Sequence, residues 1–172
     1  PHDILVMNNV VSDCTAGEAL YCIGGYRVYM TGNTLRNSFL EGVCMDSGCI
    51  GCYFAGNEVY NNGLSGGLPG VSIDNGIYNI VDGNNIYNNT CSGIKLVRTG
   101  IGNIITENVC KDNSTNTTDA AGKTSSSAGI DIESLKVDAQ DGDTLDGKGS
   151  NGNVVMNNTV SGNHDFGVYI AE

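Results

Sequence analysis

Five charged residues, Asp46, Asp74, Lys95, Asp131 and Glu133, recur at matching places in a repeating sequence. Carboxylates arranged in this way can perform acid–base chemistry. Parallel strands stack about 4.8 Å apart, so Asp46 and Asp74 on neighbouring strands would stand about that far from one another. Asp74 and Glu133, two strands apart, would be separated by roughly 9.6 Å. Glycoside cleavage uses a carboxylate pair about 5 Å apart for retention and about 6.5–9.5 Å apart for inversion, and both spacings are within reach. Asp74 and Glu133 are the expected acid/base pair, with Asp46 and Asp131 assisting through Ca²⁺ or hydrogen bonds. Lys95 lies between Asp74 and Glu133. Neighbouring carboxylates raise a lysine pKa rather than lower it, so charge pairing is its expected role. Arg98, just past the strand end, and Tyr169, one repeat further on, join Asp131 as candidate substrate-binding residues.

Two other sets of residues could hold a metal. The chain has seven cysteines, an odd number, and Cys49 and Cys52 form a C-x-x-C with Cys44 nearby. Zinc asks for a fourth ligand and usually a second pair, and neither is evident. The cysteines are therefore read as small buried apolar residues, with room for one disulfide among them. Asp138, Asp141, Asp143 and Asp146 crowd a Gly-rich stretch whose hard oxygen donors suit Ca²⁺, although the spacing is not that of an EF-hand.

The elements that position these residues follow from an internal repeat. Asn9, Asn33, Asn57, Asn84, Asn108 and Asn158 are spaced 24, 24, 27, 24 and 50 residues apart, the last gap being one repeat with a large insertion. Three residues before each Asn stand Val6, Met30, Phe54, Val81, Ile105 and Val155. Two after stand Val11, Leu35, Val59, Ile86, Cys110 and Val160, so both columns are apolar throughout. A second polar column reads Asn62, Asn89, Asn113 and Asn163. A later strand repeats as Ala19-Leu20-Tyr21, Val43-Cys44-Met45, Val71-Ser72-Ile73, Ile94-Lys95-Leu96, Ile130-Asp131-Ile132 and Val168-Tyr169-Ile170. It alternates inward and outward residues, as a half-buried strand does. In this register the outward columns are Leu20, Cys44, Ser72, Lys95, Asp131, Tyr169 and Cys22, Asp46, Asp74, Val97, Glu133, Ala171.

Each repeat of about 24 residues therefore forms one rung of stacked short strands. The ladder Asn is expected to take left-handed backbone geometry and to bond its neighbours above and below. Gly42, Gly70, Gly93, Gly129 and Gly167, which precede the later strand, are expected to supply an unusual φ. The reading is an all-β, single-domain parallel β-helix of six rungs over residues 1–172, with loop insertions at 62–69, 114–128 and 136–149. The last two flank the strand Ile130-Asp131-Ile132-Glu133 and would wall a groove.

The G-Φ-x-Φ strand followed by an N-x-Φ-x-x-N bend resembles the repeats of the right-handed β-helix, pectin-lyase-like superfamily, over essentially the whole chain. The resemblance implies an extracellular or cell- or virion-surface protein that engages polysaccharide, as a lyase, hydrolase or epimerase. Its alternative is a non-catalytic shaft, adhesin or glycan-binding segment. Pro1-His2-Asp3 resembles part of the D-P-H-D motif of mannuronan C5-epimerases. The formal charge of −11, from 19 carboxylates against 8 Lys and Arg, argues against nucleic acid as a partner. No apolar run is long enough to span a membrane. No signal peptide is visible, which suggests a processed chain or a piece of a longer one. Open solenoid ends call for a homo-oligomer or flanking rungs.

Overall fold

The computed structural model of the protein describes residues 1–115, 128–133 and 149–171. Its strands come in sets of three. The first sets are β1 (Leu5–Met7), β2 (Val10–Ser12), β3 (Leu20–Ile23), then β4 (Tyr29–Thr31), β5 (Thr34–Arg36), β6 (Val43–Asp46). Next come β7 (Tyr53–Ala55), β8 (Glu58–Tyr60), β9 (Val71–Asp74), then β10 (Ile80–Asp82), β11 (Asn85–Tyr87), β12 (Ile94–Val97). The last are β13 (Ile104–Thr106), β14 (Val109–Lys111), β15 (Ala128–Glu133), then β16 (Val154–Met156), β17 (Thr159–Ser161), β18 (Phe166–Ala171). Every third strand pairs in parallel, giving three six-stranded sheets that enclose one core. The chain is thus a parallel β-solenoid with a period near 24 residues and no helix among the described residues.

Strands this short are stable because identical positions stack. Met30, Phe54, Val81 and Ile105 line the first sheet, and Leu35, Val59, Ile86 and Cys110 the second, all without exposed surface. Four turns of the solenoid are enclosed on both sides in this way. The turn at either end is not: Val6, Val11, Leu20, Val155 and Val160 are only partly buried, and Ile170 is largely exposed.

The asparagines form ladders of side-chain amides. Asn9, Asn33, Asn57, Asn84 and Asn108 each donate from Nδ2 to Oδ1 of the next member, at 2.9–3.0 Å, ending on Asn158. The same Oδ1 also accepts the backbone N–H of the preceding member. The left-handed residue is not the ladder Asn but the one before it: Asn8, Gly32, Gly56, Gly83, Glu107 and Asn157 all have positive φ. That turn aims the following side chain inward, where burial makes its hydrogen bonds obligatory. The second ladder runs Ser38, Asn62, Asn89, Asn113, Asn163. A third, Asn79 to Asn103 to Asn153, has no counterpart in the reading of the sequence.

Two further expectations are corrected. Gly42, Gly70, Gly93, Gly129 and Gly167 do not take positive φ. Four of them are glycine because there is no room: a Cβ on Gly42 would lie 2.7 Å from the carbonyl oxygen of Gly70, and one on Gly93 2.7 Å from that of Gly129. The register of β3 is also shifted by one residue. Leu20 pairs with Val43 and Cys22 with Met45, so Leu20 and Cys22 face inward while Tyr21 and Ile23 face outward. Eleven residues, rather than the ten of the next repeat, separate Asn9 from the first residue of this strand.

Candidate functional site

The outer face of the third sheet brings the charged residues together, but in pairs of opposite sign. Lys95 on β12 pairs with Asp131 on β15. Its Nζ lies 3.1 Å from Asp131 Oδ2 and 3.1 Å from Glu133 Oε2, so the two carboxylates share one ammonium. Asp74 is engaged by Arg98, whose Nε is 3.5 Å from Oδ1. Asp46 accepts a hydrogen bond from the Tyr21 hydroxyl at 2.7 Å. Tyr169 aligns with Asp131 on the adjacent strand and stacks on Phe166, with ring centroids 4.9 Å apart. Asp74 and Glu133 are thus held by different cations, with the strand of Val97 between them.

This face is not uniformly solvated. Cys44, Ser72 and Asp131 are buried although they point away from the core. Burial lifts the Asp131 carboxyl to about 6 against the opposing pull of Lys95, while Ser92 Oγ donates to its Oδ2 at 3.3 Å. For Lys95, burial works against the charged form, but Asp131 and Glu133 outweigh it and hold the pKa above its ordinary value. Asp138, Asp141, Asp143 and Asp146, the candidate Ca²⁺ ligands, lie outside the described residues, as do most of the two long insertions.

A second constellation lies inside the solenoid. The sulfur atoms of Cys22, Cys49 and Cys52 all lie within 4.8 Å of one another, and all three residues are buried. Cys49 Sγ is 3.6 Å from Cys22 Sγ, donates to the Cys22 carbonyl at 3.1 Å, and accepts the Gly25 N–H at 3.4 Å. Cys52 is held below the usual thiol range by hydrogen bonds from Cys22 and Cys49, and Cys49 is pushed up by its hydrogen bonds with Cys22 and Cys52 and by burial. The third member is Cys22, not Cys44, which faces outward on β6. None of the seven cysteines forms a disulfide.

The repeat shows how unusual this spot is. Cys22 heads a column that continues Met45, Ile73, Leu96 and Ile132, all large and apolar. Cys49 occupies a column that also holds Pro1, Gly25, Gly76, Gly100 and Ser150, each preceding a bridge residue, and glycine is its commonest member. Cys52 stands where the third ladder has Asn79, Asn103 and Asn153, and its N–H is still received by Asn79 Oδ1 at 2.9 Å. A Cβ on Gly76 would meet Ile73 at 2.4 Å and the Asn79 amide at 2.6 Å. At Gly76 the asparagine three residues on thus leaves no room for a side chain, whereas Cys49 has Cys52 at that place. Gly25 completes the nest, because a Cβ there would lie 2.5 Å from Cys22 Sγ. Three columns of different chemistry depart to cysteine at one point in space.

Residues 1–127 match the family model described as periplasmic copper-binding protein (NosD). The chain belongs to the NosD family. This is a right-handed parallel β-helix family of the pectin-lyase-like superfamily, in agreement with the solenoid. No curated protein and no solved structure matches the chain. The thiol cluster lies within the segment that matches NosD, whereas Asp131, Glu133 and Tyr169 lie beyond it. The donor set also fits the metal in the family's description. Soft thiolates suit copper in its +1 state, and three sulfurs bonded to one ion at ~2.3 Å would stand ~4 Å apart.

Proposed function

We propose that this protein is a periplasmic or extracellular β-helix that binds copper as Cu(I) through Cys22, Cys49 and Cys52. The observation that carries the proposal is the convergence of three buried thiols within 4.8 Å, from three columns that in the following turn hold an aliphatic residue, Met45, a glycine, Gly76, and an asparagine, Asn79. Thiolate is the softest donor a protein offers, and a bound ion would neutralise negative charge that the apolar interior otherwise disfavours. A structural zinc site takes four ligands, and no fourth joins the group among the described residues. The chain's own contribution is to position the sulfurs and exclude water: the Gly25 N–H fixes Cys49, and Val28 and Met45 are buried in the surrounding core.

The test is an anaerobic competition between reduced protein and a chromogenic Cu(I) chelator. The wild type is expected to take up one equivalent. Cys52→Ser should lower the affinity more than about 100-fold, a loss above that of a supporting residue. Cys110→Ser, in the core away from the cluster, should leave it unchanged. Uptake that is absent in the wild type, or equal in Cys52→Ser, sinks the reading.

A second reading, a polysaccharide-binding or polysaccharide-cleaving outer face, is favoured by the Lys95–Asp131–Glu133 group. One ammonium between two carboxylates is suited to holding a uronate or hydroxyl-rich ligand. Asp74, Asp46, Arg98 and Tyr169 would extend the surface along the sheet. Turnover of neutral and uronic-acid glycans, with and without Ca²⁺, should then be lost in Glu133→Gln and in Asp74→Asn. Turnover unchanged in both variants removes catalysis from this strip.

A further inference from the structure

We infer that the thiol cluster has two mutually exclusive states, a metal-binding trithiol and a Cys22–Cys49 disulfide, so that thiol oxidation controls metal binding. The inference rests on the Cu(I) reading for the first state, and on geometry alone for the second.

Cys22 Sγ and Cys49 Sγ are already 3.6 Å apart, in van der Waals contact across neighbouring turns. A disulfide requires about 2.05 Å, so the sulfurs must close by roughly 1.5 Å. The surroundings allow this on the Cys22 side. Cys22 sits in the end turn, where Val6 and Leu20 are only partly buried. It lines a cavity of about 380 Å³ together with Ile4, Val6, Leu20 and Val28. Of the three, Cys22 retains 7% of its surface, whereas Cys49 and Cys52 retain almost none. The other four cysteines are outside the group of mutually close sulfurs.

The step balances against a partner disulfide, such as oxidised glutathione. The thiolate of Cys22 attacks one sulfur of the partner and expels a thiol, forming a mixed disulfide. Cys49, as thiolate, then attacks Cys22 Sγ and expels the second partner thiol. Two protein thiols are oxidised, one partner disulfide is reduced to two thiols, and the two protons leave on those thiols. Cys52 alone remains, and a single thiol cannot replace a three-sulfur site. Conversely, an ion bound to all three sulfurs occupies the electron pairs that the exchange needs.

The experiment uses the Cys14→Ser protein, because Cys14 is the one cysteine that is not buried. Metal-free folded protein is incubated with oxidised glutathione, thiols are counted after denaturation, and the bond is mapped by peptide mass spectrometry. The count should fall from six to four, with Cys22 joined to Cys49. The oxidised product should take up no Cu(I) and recover uptake on reduction, and the Cu(I)-loaded protein should keep six thiols under the same treatment. Cys52→Ser separates the two readings: it should form the same disulfide while failing to bind Cu(I). Six thiols surviving in a metal-free protein that takes up Cu(I) overturn this inference and leave the metal site standing. A Cys22–Cys49 bond in a protein that never takes up Cu(I) overturns the metal control and leaves a bare redox pair. A bond mapped to any other cysteines overturns the assignment.

Discussion

Asp131 carries its carboxyl with no exposed surface, and two opposing influences set its charge. Burial raises its pKa to about 6, and the Lys95 ammonium pulls the other way. A carboxyl whose folded pKa exceeds its unfolded value binds its proton more tightly in the folded chain. Its favourable contribution is complete below the unfolded value, near 4, and is lost as pH rises through about 6. Glu41 behaves alike, lifted to about 7 chiefly by burial. Asp3 and Asp13, held down by hydrogen bonds to Arg27 and Ser12 respectively, act in the opposite sense only below pH ~4. The melting temperature is therefore expected to fall between pH 4 and pH 7, Asp131 contributing on the order of 1–3 kcal/mol. Asp131→Asn should flatten the part of the curve between pH 4 and 6. A melting temperature that climbs across this window, or a variant with an unchanged slope, refutes the assignment.

Ladders and glycine columns are where single changes should cost most at the scale of the element. Asn84 is buried with both ends of its amide satisfied: Oδ1 accepts from Asn57 N and Nδ2, and Nδ2 donates to the Phe54 carbonyl and to Asn108 Oδ1. Asn84→Ala strands several of these groups at once, at about 1–3 kcal/mol each, so urea unfolding should show a loss of at least about 3 kcal/mol. Gly93→Ala drives a Cβ against the Gly129 carbonyl and should also destabilise. Gly17→Ala meets nothing within 4 Å and has no left-handed φ, so it should stabilise by about 0.4–1 kcal/mol through the unfolded chain. Equal effects of the two glycine substitutions would show that close approach is not what selects Gly93. These elements were legible in the sequence because they recur: the Asn spacing and the two apolar columns led directly to the solenoid. The thiol site was not. One extra residue before β3 shifts its register, and a one-residue slip exchanges the two faces of a strand. Cys22 counted as outward cannot meet Cys49 and Cys52. The third ladder escaped because Ile4, Val28 and Cys52 stand in its first three places. Asn79, Asn103 and Asn153, each five residues before a member of the first ladder, were the signal that could have revealed it.

Over the whole molecule, stability should be graded along the axis rather than uniform, since each turn contacts only its neighbours. Hydrogen exchange should be slowest in β7–β12, where both sides are covered. Uniform protection from end to end would contradict this gradient. The Cys22–Cys49 disulfide, joining the first turn to the second across 27 residues, should move the near end towards the protected class. It should add about 3.5 kcal/mol, if chain entropy governs.

The amide ladders also give the solenoid a direction. Every amide-to-amide bond runs the same way, from Nδ2 in one turn to Oδ1 in the next. Among the described residues each column therefore shows an acceptor face on one side, as at Asn9 Oδ1, and a donor face on the other, as at Asn158, whose Nδ2 donates to the Ile105 and Met156 carbonyls. Two copies meeting through like ends would set acceptor against acceptor or donor against donor. Copies meeting through unlike ends would continue the column unbroken. Any end-on association through these columns is therefore head-to-tail, and such contacts extend into open rods instead of closing into two-fold dimers.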